Sequence, residues 1–106
     1  MKIIIKSTNF SLSEDNKKLI TEKIGDVDKF FPNIIEARVE VEFDDNKRGG
    51  DKFRCEVNLS VPGRLIRVEK ATDDFEKSVN KVKDHLKVVL AKERGKQLSL
   101  KKAQIK

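Results

Sequence analysis

The spacing of apolar residues along this chain changes several times, and each change marks an element. Between Lys2 and Ser7, Ile3 and Ile5 fall on one face and Ile4 on the other, with lysine near both ends, which predicts a short strand buried on one side. Ser13 followed by Glu14 and Asp15 has the form of a helix N-cap with acidic first-turn residues. The helix it opens carries Ile20, Ile24, Val27 and Phe31 at helical spacing, flanked by Leu19 and Phe30, and Pro32 is its predicted stop. Gly25 inside that helix costs about 1 kcal/mol relative to alanine, and marks either a weak point or a close approach to a neighbour.

From Ile35 to Asp44 the alternation is strict: Ile35, Ala37, Val39, Val41 and Phe43 against Glu36, Arg38, Glu40, Glu42 and Asp44. A loop with Asn46 and Gly49-Gly50 follows, and alternation resumes with Phe53, Cys55, Val57, Leu59 and Val61. Pro62-Gly63 predicts a tight hairpin into Arg64 to Ala71, where Ile66 and Val68 alternate with Arg67 and Glu69. Successive strands with one polar face call for helices on the other face only. Thr72 or Asp73 is the expected cap of the final helix, in which Phe75, Val79, Val82, Leu86 and Val89 or Leu90 repeat at helical spacing as far as about Arg94, with Gly95 as a stop. The order is β-α-β-β-β-α, and a right-handed crossover puts the first helix on the face that the last one covers. The predicted fold is an α+β two-layer sandwich, a four-stranded sheet with both helices on one face, like a double-stranded RNA-binding domain. It occupies residues 1–95, and 96–106 form a flexible basic tail.

Composition narrows the function. At 106 residues with 37% hydrophobic content the chain has room for one core. Its longest apolar runs fall far short of the roughly 20 residues that cross a bilayer, and its start lacks the apolar region of a secretory signal. A cytoplasmic location with no membrane partner is expected. One cysteine and one histidine leave no disulfide framework and no zinc site of four Cys/His ligands within the chain. No nucleophile with a base, no paired-carboxylate cleft and no phosphate loop is found, so the chain reads as a non-enzyme without cofactor, metal or small-molecule substrate. Cys55 lies on the inward phase of its strand, where it acts as a small apolar residue, and His85 sits at the rim of the last helix's core stripe.

The net charge of +6 is unevenly held. Residues 1–76 contain 14 Lys/Arg and 16 Asp/Glu, whereas residues 77–106 contain 10 and 2, so the whole excess lies in the last helix and tail. Lys77, Lys81, Lys83, Lys87, Lys92 and Arg94 stand off the apolar stripe, a row of cations expected to track phosphates, and Lys96, Lys101, Lys102 and Lys106 extend it. Tyr and Trp are absent, and Phe43 and Phe53 fall on the inward phase, so the open sheet face lacks the aromatics with which an RNA recognition motif stacks bases. Shape and phosphate recognition of RNA is the mode that remains.

Several segments carry a family resemblance over roughly residues 1–96: Ile3-Ile4-Ile5-Lys6-Ser7 then Asn9, Ile20-Thr21-Glu22-Lys23-Ile24 running to Val27-Asp28-Lys29-Phe30-Phe31, the Pro62-Gly63 hairpin, and Asp73-Asp74-Phe75 before Val79-Asn80. Their order and spacing resemble the short ribosome hibernation promoting factors, also called ribosome-associated inhibitors, ribosomal subunit interface proteins or sigma-54 modulation proteins. The resemblance implies binding to ribosomal RNA in the tRNA and mRNA channel of the small subunit, inhibiting translation in stressed or stationary-phase cells, by a protein monomeric off the ribosome. Lys23 and Lys29 match basic positions of the family's first helix, and Lys92 and Lys96 match basic positions late in the second. His85 stands where a lysine is usual, Asp26 replaces a frequent lysine, and Val88-Val89 replaces a basic-polar pair. The expected RNA-binding set is Lys23, Lys29, Lys77, Lys83, His85, Lys87, Lys92, Arg94 and Lys96. Long members of the family append a second domain that pairs ribosomes, and none is expected within residues 1–106. A protein-interaction module modulating sigma-54-dependent transcription is the alternative reading.

Overall fold

The computed structural model describes residues 1–31, 33–46 and 49–105, with side chains described as far as residue 95. Pro32, the expected helix stop, and Lys47-Arg48 of the expected loop lie outside the described residues. Four strands, β1 (Lys2–Thr8), β2 (Glu36–Phe43), β3 (Phe53–Val61) and β4 (Arg64–Thr72), form one sheet in the order β1-β2-β3-β4. β1 pairs parallel with β2, and the other two pairings are antiparallel. Helices α1 (Glu14–Gly25) and α2 (Phe75–Ile105) complete the two layers.

Within each strand the inward phase is the one its alternation predicted, but Ile35, expected as the first inward residue of β2, lies before the strand and is 61% exposed, and Ile34 is buried in its place. Ala37, Val39 and Val41 of β2, Cys55, Val57, Leu59 and Val61 of β3, and Ile66 and Val68 of β4 are all buried. They meet Ile20 and Ile24 of α1 and Val79, Val82, Leu86 and Leu90 of α2 in one core, against which Ile3 and Ile5 of β1 also pack. Full burial of such an aliphatic side chain stabilises by roughly 1.5–3 kcal/mol, so these stripes fix which way every element faces. Gly63 takes φ +76 in the two-residue hairpin, a backbone conformation that glycine enters without steric cost.

Three boundaries differ from those the sequence predicts. The first helix stops being an α-helix at Gly25 and tightens into a 3-10 turn over Asp26–Lys29, which still delivers Val27 and Phe31 into the core. A methyl group at Gly25 would lie 3.8 Å from Ile3 Cδ1, an ordinary contact, so no close approach demands glycine there. The second helix does not stop at Gly95 but continues to Ile105. One glycine costs a helix only about 1 kcal/mol, and its neighbours Lys92, Arg94, Lys96 and Gln97 are good helix formers.

The start of α2 is also one residue later than expected. Neither Thr72 nor Asp73 caps it; Asp74 Oδ2 accepts the Lys77 N–H at 3.0 Å. Thr72 instead turns inward, accepting the Asp74 N–H and meeting the Ser78 hydroxyl at 2.7 Å. Ser78, almost fully buried, also lies 2.7 Å from the Phe53 carbonyl oxygen, tying α2 to β3. Ser13 caps α1 as predicted, its hydroxyl accepting the Asn16 N–H.

Because Ser78 and Thr72 satisfy one another inside the core, removing one strands its partners. Ser78→Ala should destabilise the domain by about 1–3 kcal/mol, read as a lower urea midpoint at unchanged slope.

Candidate nucleic-acid interface

The apolar stripe of α2 divides its cations. At about 100° per residue, Lys83, Lys87 and Arg94 project from one flank of the stripe, and Lys81, His85 and Lys92 from the other. The single row read from the sequence is therefore two rows, because the sheet occupies the sector between them. The first flank faces the end of α1 and the 3-10 turn: Lys83 Nζ lies 3.0 Å from Asp26 Oδ2, and Lys87 Nζ lies 5.2 Å from the centre of the Phe30 ring.

Asp26 holds two of the expected RNA contacts at once, since Lys29 Nζ approaches its other oxygen at 3.1 Å. The hydrogen bond from Lys83, then that from Lys29, holds the Asp26 carboxyl below the usual carboxylate range. Lys83 is mostly covered, with 14% of its side chain exposed, whereas Lys29 is open. Lys77, at the far end of α2, pairs with Asp73 one turn earlier. Lys23, half-buried on the last turn of α1, and the exposed His85, Lys92 and Arg94 make no ion pair among the described residues. Lys87 likewise has only its contact with Phe30. The side chain of Lys96 lies outside the described residues. The geometry thus brings Lys29, Lys83 and Lys87 together around Asp26 and Phe30 and leaves Lys77 and Lys92 apart.

Elsewhere the charges cancel. The open sheet face presents Lys2, Lys6, Arg38, Arg54 and Arg67 beside Glu36, Glu40, Glu42, Glu56 and Glu69. Arg54 is its hub, with Glu40, Glu42, Glu56 and Glu69 all within 4 Å. Burial alone would lower its pKa, but the bonds to Glu40 and Glu56 override that and raise it. The amide of Asn58, followed by Arg67 and Arg54, holds Glu56 below its usual range despite partial burial. Cys55, fully buried beneath this face, has its thiol pushed up to about 12 by desolvation, which keeps it protonated and agrees with its reading as a packing residue.

The aromatic side chains were only half legible. Phe10, Phe43, Phe53 and Phe75 cluster on the helix side of the sheet with ring centres 5.0–5.7 Å apart, as the inward phase of Phe43 and Phe53 predicted. Phe31 is buried, and Phe30, read from the sequence as a mere flank of the stripe, is 39% exposed beside the lysines. The signal that marks it is the Phe-Phe doublet itself, since neighbouring side chains leave the backbone in different directions and here only Phe31 enters the core.

A strongly basic helix on a neutral α+β sheet is the setting in which the comparisons fall. The profile of the Sigma 54 modulation protein / S30EA ribosomal protein family matches residues 3–98. The chain belongs to this family. A ribosome hibernation promotion factor of Deinococcus radiodurans is 31% identical over 84 residues, which are 79% of this chain and 44% of that relative. The match therefore spans less than half of that relative's length. Its fold matches the N-terminal domain of Thermus thermophilus Protein Y with a TM-score of 0.75 at 20% identity, covering 87% of this chain and 98% of that one. A ribosomal subunit interface protein from Coxiella burnetii superposes with a TM-score of 0.76 at 19% identity, over 90% and 99% of the two chains. No helix among the described residues is long and apolar enough to cross a membrane.

Asp26 gives the site a signature in pH. Its folded pKa lies below the unfolded value, so its ion pairs stabilise the fold fully above the usual carboxylate range, and that contribution is lost as pH falls through the folded pKa. The difference in urea midpoint between the parent and Asp26→Asn should therefore shrink from about pH 7 to about pH 3.

Proposed function

We propose that this chain binds the small ribosomal subunit, contacts ribosomal RNA in the tRNA and mRNA channel, and silences translation in stressed or stationary-phase cells without catalysing a reaction. The observation that carries the reading is the concentration of positive charge in the last part of the chain, a net +8 over residues 77–106, against a sheet face whose charges cancel. A polyanion docks where positive potential is not cancelled locally, and release of its counterions supplies the affinity. Family membership and the names of the relatives, a hibernation promotion factor and a ribosomal subunit interface protein, supply the target.

In this reading Lys87, Lys92 and Arg94, together with Lys23 and His85, meet phosphates directly. Lys29 and Lys83 are shared with Asp26, and Lys77 with Asp73, so each of these must exchange a carboxylate for a phosphate on binding. Lys96 and the later lysines extend the cationic run. The protein acts as a cytoplasmic monomer whose partner is the ribosome.

Sedimentation with small subunits across a salt series tests the proposal. The logarithm of the binding constant should fall linearly with the logarithm of salt concentration, and Lys87→Glu with Lys92→Glu should weaken binding and flatten that slope by about 0.7–0.9 for each phosphate left unneutralised. The double variant should keep its folding stability to within about 0.5 kcal/mol, because both side chains stand outside the core. Absence of co-sedimentation even at low salt defeats the proposal, and capture of RNA polymerase without ribosomes would favour the transcriptional alternative.

A further inference from the structure

Phe30 stands outside the core that Phe31 enters. Phe31 is 2% exposed, whereas Phe30, the residue before it, leaves 39% of its surface in water. Of the six phenylalanines, four pack together at the other end of the sheet and one is buried, so Phe30 is the one phenylalanine the fold leaves exposed, and the chain has no Trp or Tyr. Its position is fixed: the Phe30 N–H donates to the Val27 carbonyl at 3.0 Å, closing the 3-10 turn.

The surroundings say what an exposed ring there is suited to. Lys87 Nζ lies 5.2 Å from the ring centre, and Lys29 and Lys83 stand around the same turn. Asp26, the carboxylate both of these bind, is already occupied by them. An apolar protein partner would have to desolvate the Lys87 ammonium without offering it a counter-charge. A nucleotide offers both things this corner lacks, a planar base for the ring and a phosphate for the ammonium. Every base has a π-face, so such contact adds affinity without demanding a sequence.

We infer that Phe30 is a base-stacking platform, taking an unpaired RNA base against its exposed ring while Lys87 moves to the adjoining phosphate. The inference rests on the ribosome-binding reading and adds to it a contact that is not electrostatic. It also separates this corner from the Lys81, His85 and Lys92 flank, where no phenylalanine is exposed.

The absence of Trp and Tyr makes a direct test available, since Phe30→Trp installs the chain's single strong fluorophore at the proposed contact. Small ribosomal subunits are the probe, with binding followed in parallel by sedimentation. Phe30→Trp should bind at least as tightly as the parent, and its emission should be quenched at saturation, as indole stacked on a base is. Phe30→Leu keeps apolar bulk but lacks a π-face; it should bind about 5- to 150-fold more weakly, the range that one base–aromatic stack carries, with the salt slope unchanged. Reversal of the Lys87 and Lys92 charges, by contrast, changes the slope. If the parent and Phe30→Leu sediment alike, or if bound Phe30→Trp shows a blue shift without quenching, Phe30 meets no base and the stacking inference fails while the ribosome-binding reading stands. If the parent itself does not sediment with small subunits, both fall together.

Discussion

Burial of the α2 stripe on strands β3 and β4 is the constraint from which the rest of the molecule follows. Val79, Val82, Leu86 and Leu90 are fully buried, and their packing on Val57, Leu59, Ile66 and Val68 uses up one sector of the helix for its first four turns. The cations of the same helix are then restricted to the sectors left over. Because α1 and its 3-10 turn occupy one side of α2, the two cationic flanks acquire different neighbours: a carboxylate and an aromatic ring on one, open solvent on the other.

Electrostatics divide the two faces of the sandwich by the same logic. Register places Glu40, Glu56 and Glu69 opposite one another on adjacent strands, an arrangement that is unfavourable by itself. Arg54 and Arg67 lie among these carboxylates and bond to them, and with Lys2, Lys6 and Arg38 they balance the five glutamates of the face. The consequence is that the open face carries no field to compete with α2 for a polyanion. Asp26 acts in the opposite sense on the helical side, where it ties up two lysines that a phosphate would otherwise meet directly.

Much of the fold was legible because it is written in local periods. Alternation in β2, β3 and β4 and the stripes of both helices named nearly every core residue, and Pro62-Gly63 named its hairpin. The boundaries were less legible, since they depend on small differences. The first helix gives way to a 3-10 turn at Gly25, the cap of α2 moves to Asp74 because Thr72 is taken by Ser78, and Gly95 fails to stop a helix whose neighbours favour it. Ser78 itself escaped notice, as a serine in a charged stretch carries no mark of burial. Among the candidate site residues, the sequence identified the cations but not their company. Lys77, Lys83 and Lys29 are engaged by carboxylates, and Phe30, the residue around which the lysines gather, read only as a flank of the core stripe.

The sequence by itself determined the order of elements, the inward phase of every strand and the placement of the positive charge on the last helix, because each of these is set by residues a few positions apart. Only the tertiary structure decided that Asp26 meets Lys83 across a separation of 57 residues, that Phe30 lies under Lys87, and that the two cationic flanks of α2 have different neighbours. Such contacts depend on how far each helix is rotated about its axis and where it crosses its neighbour. That rotation is fixed by packing the whole core at once, and no single segment's pattern contains it.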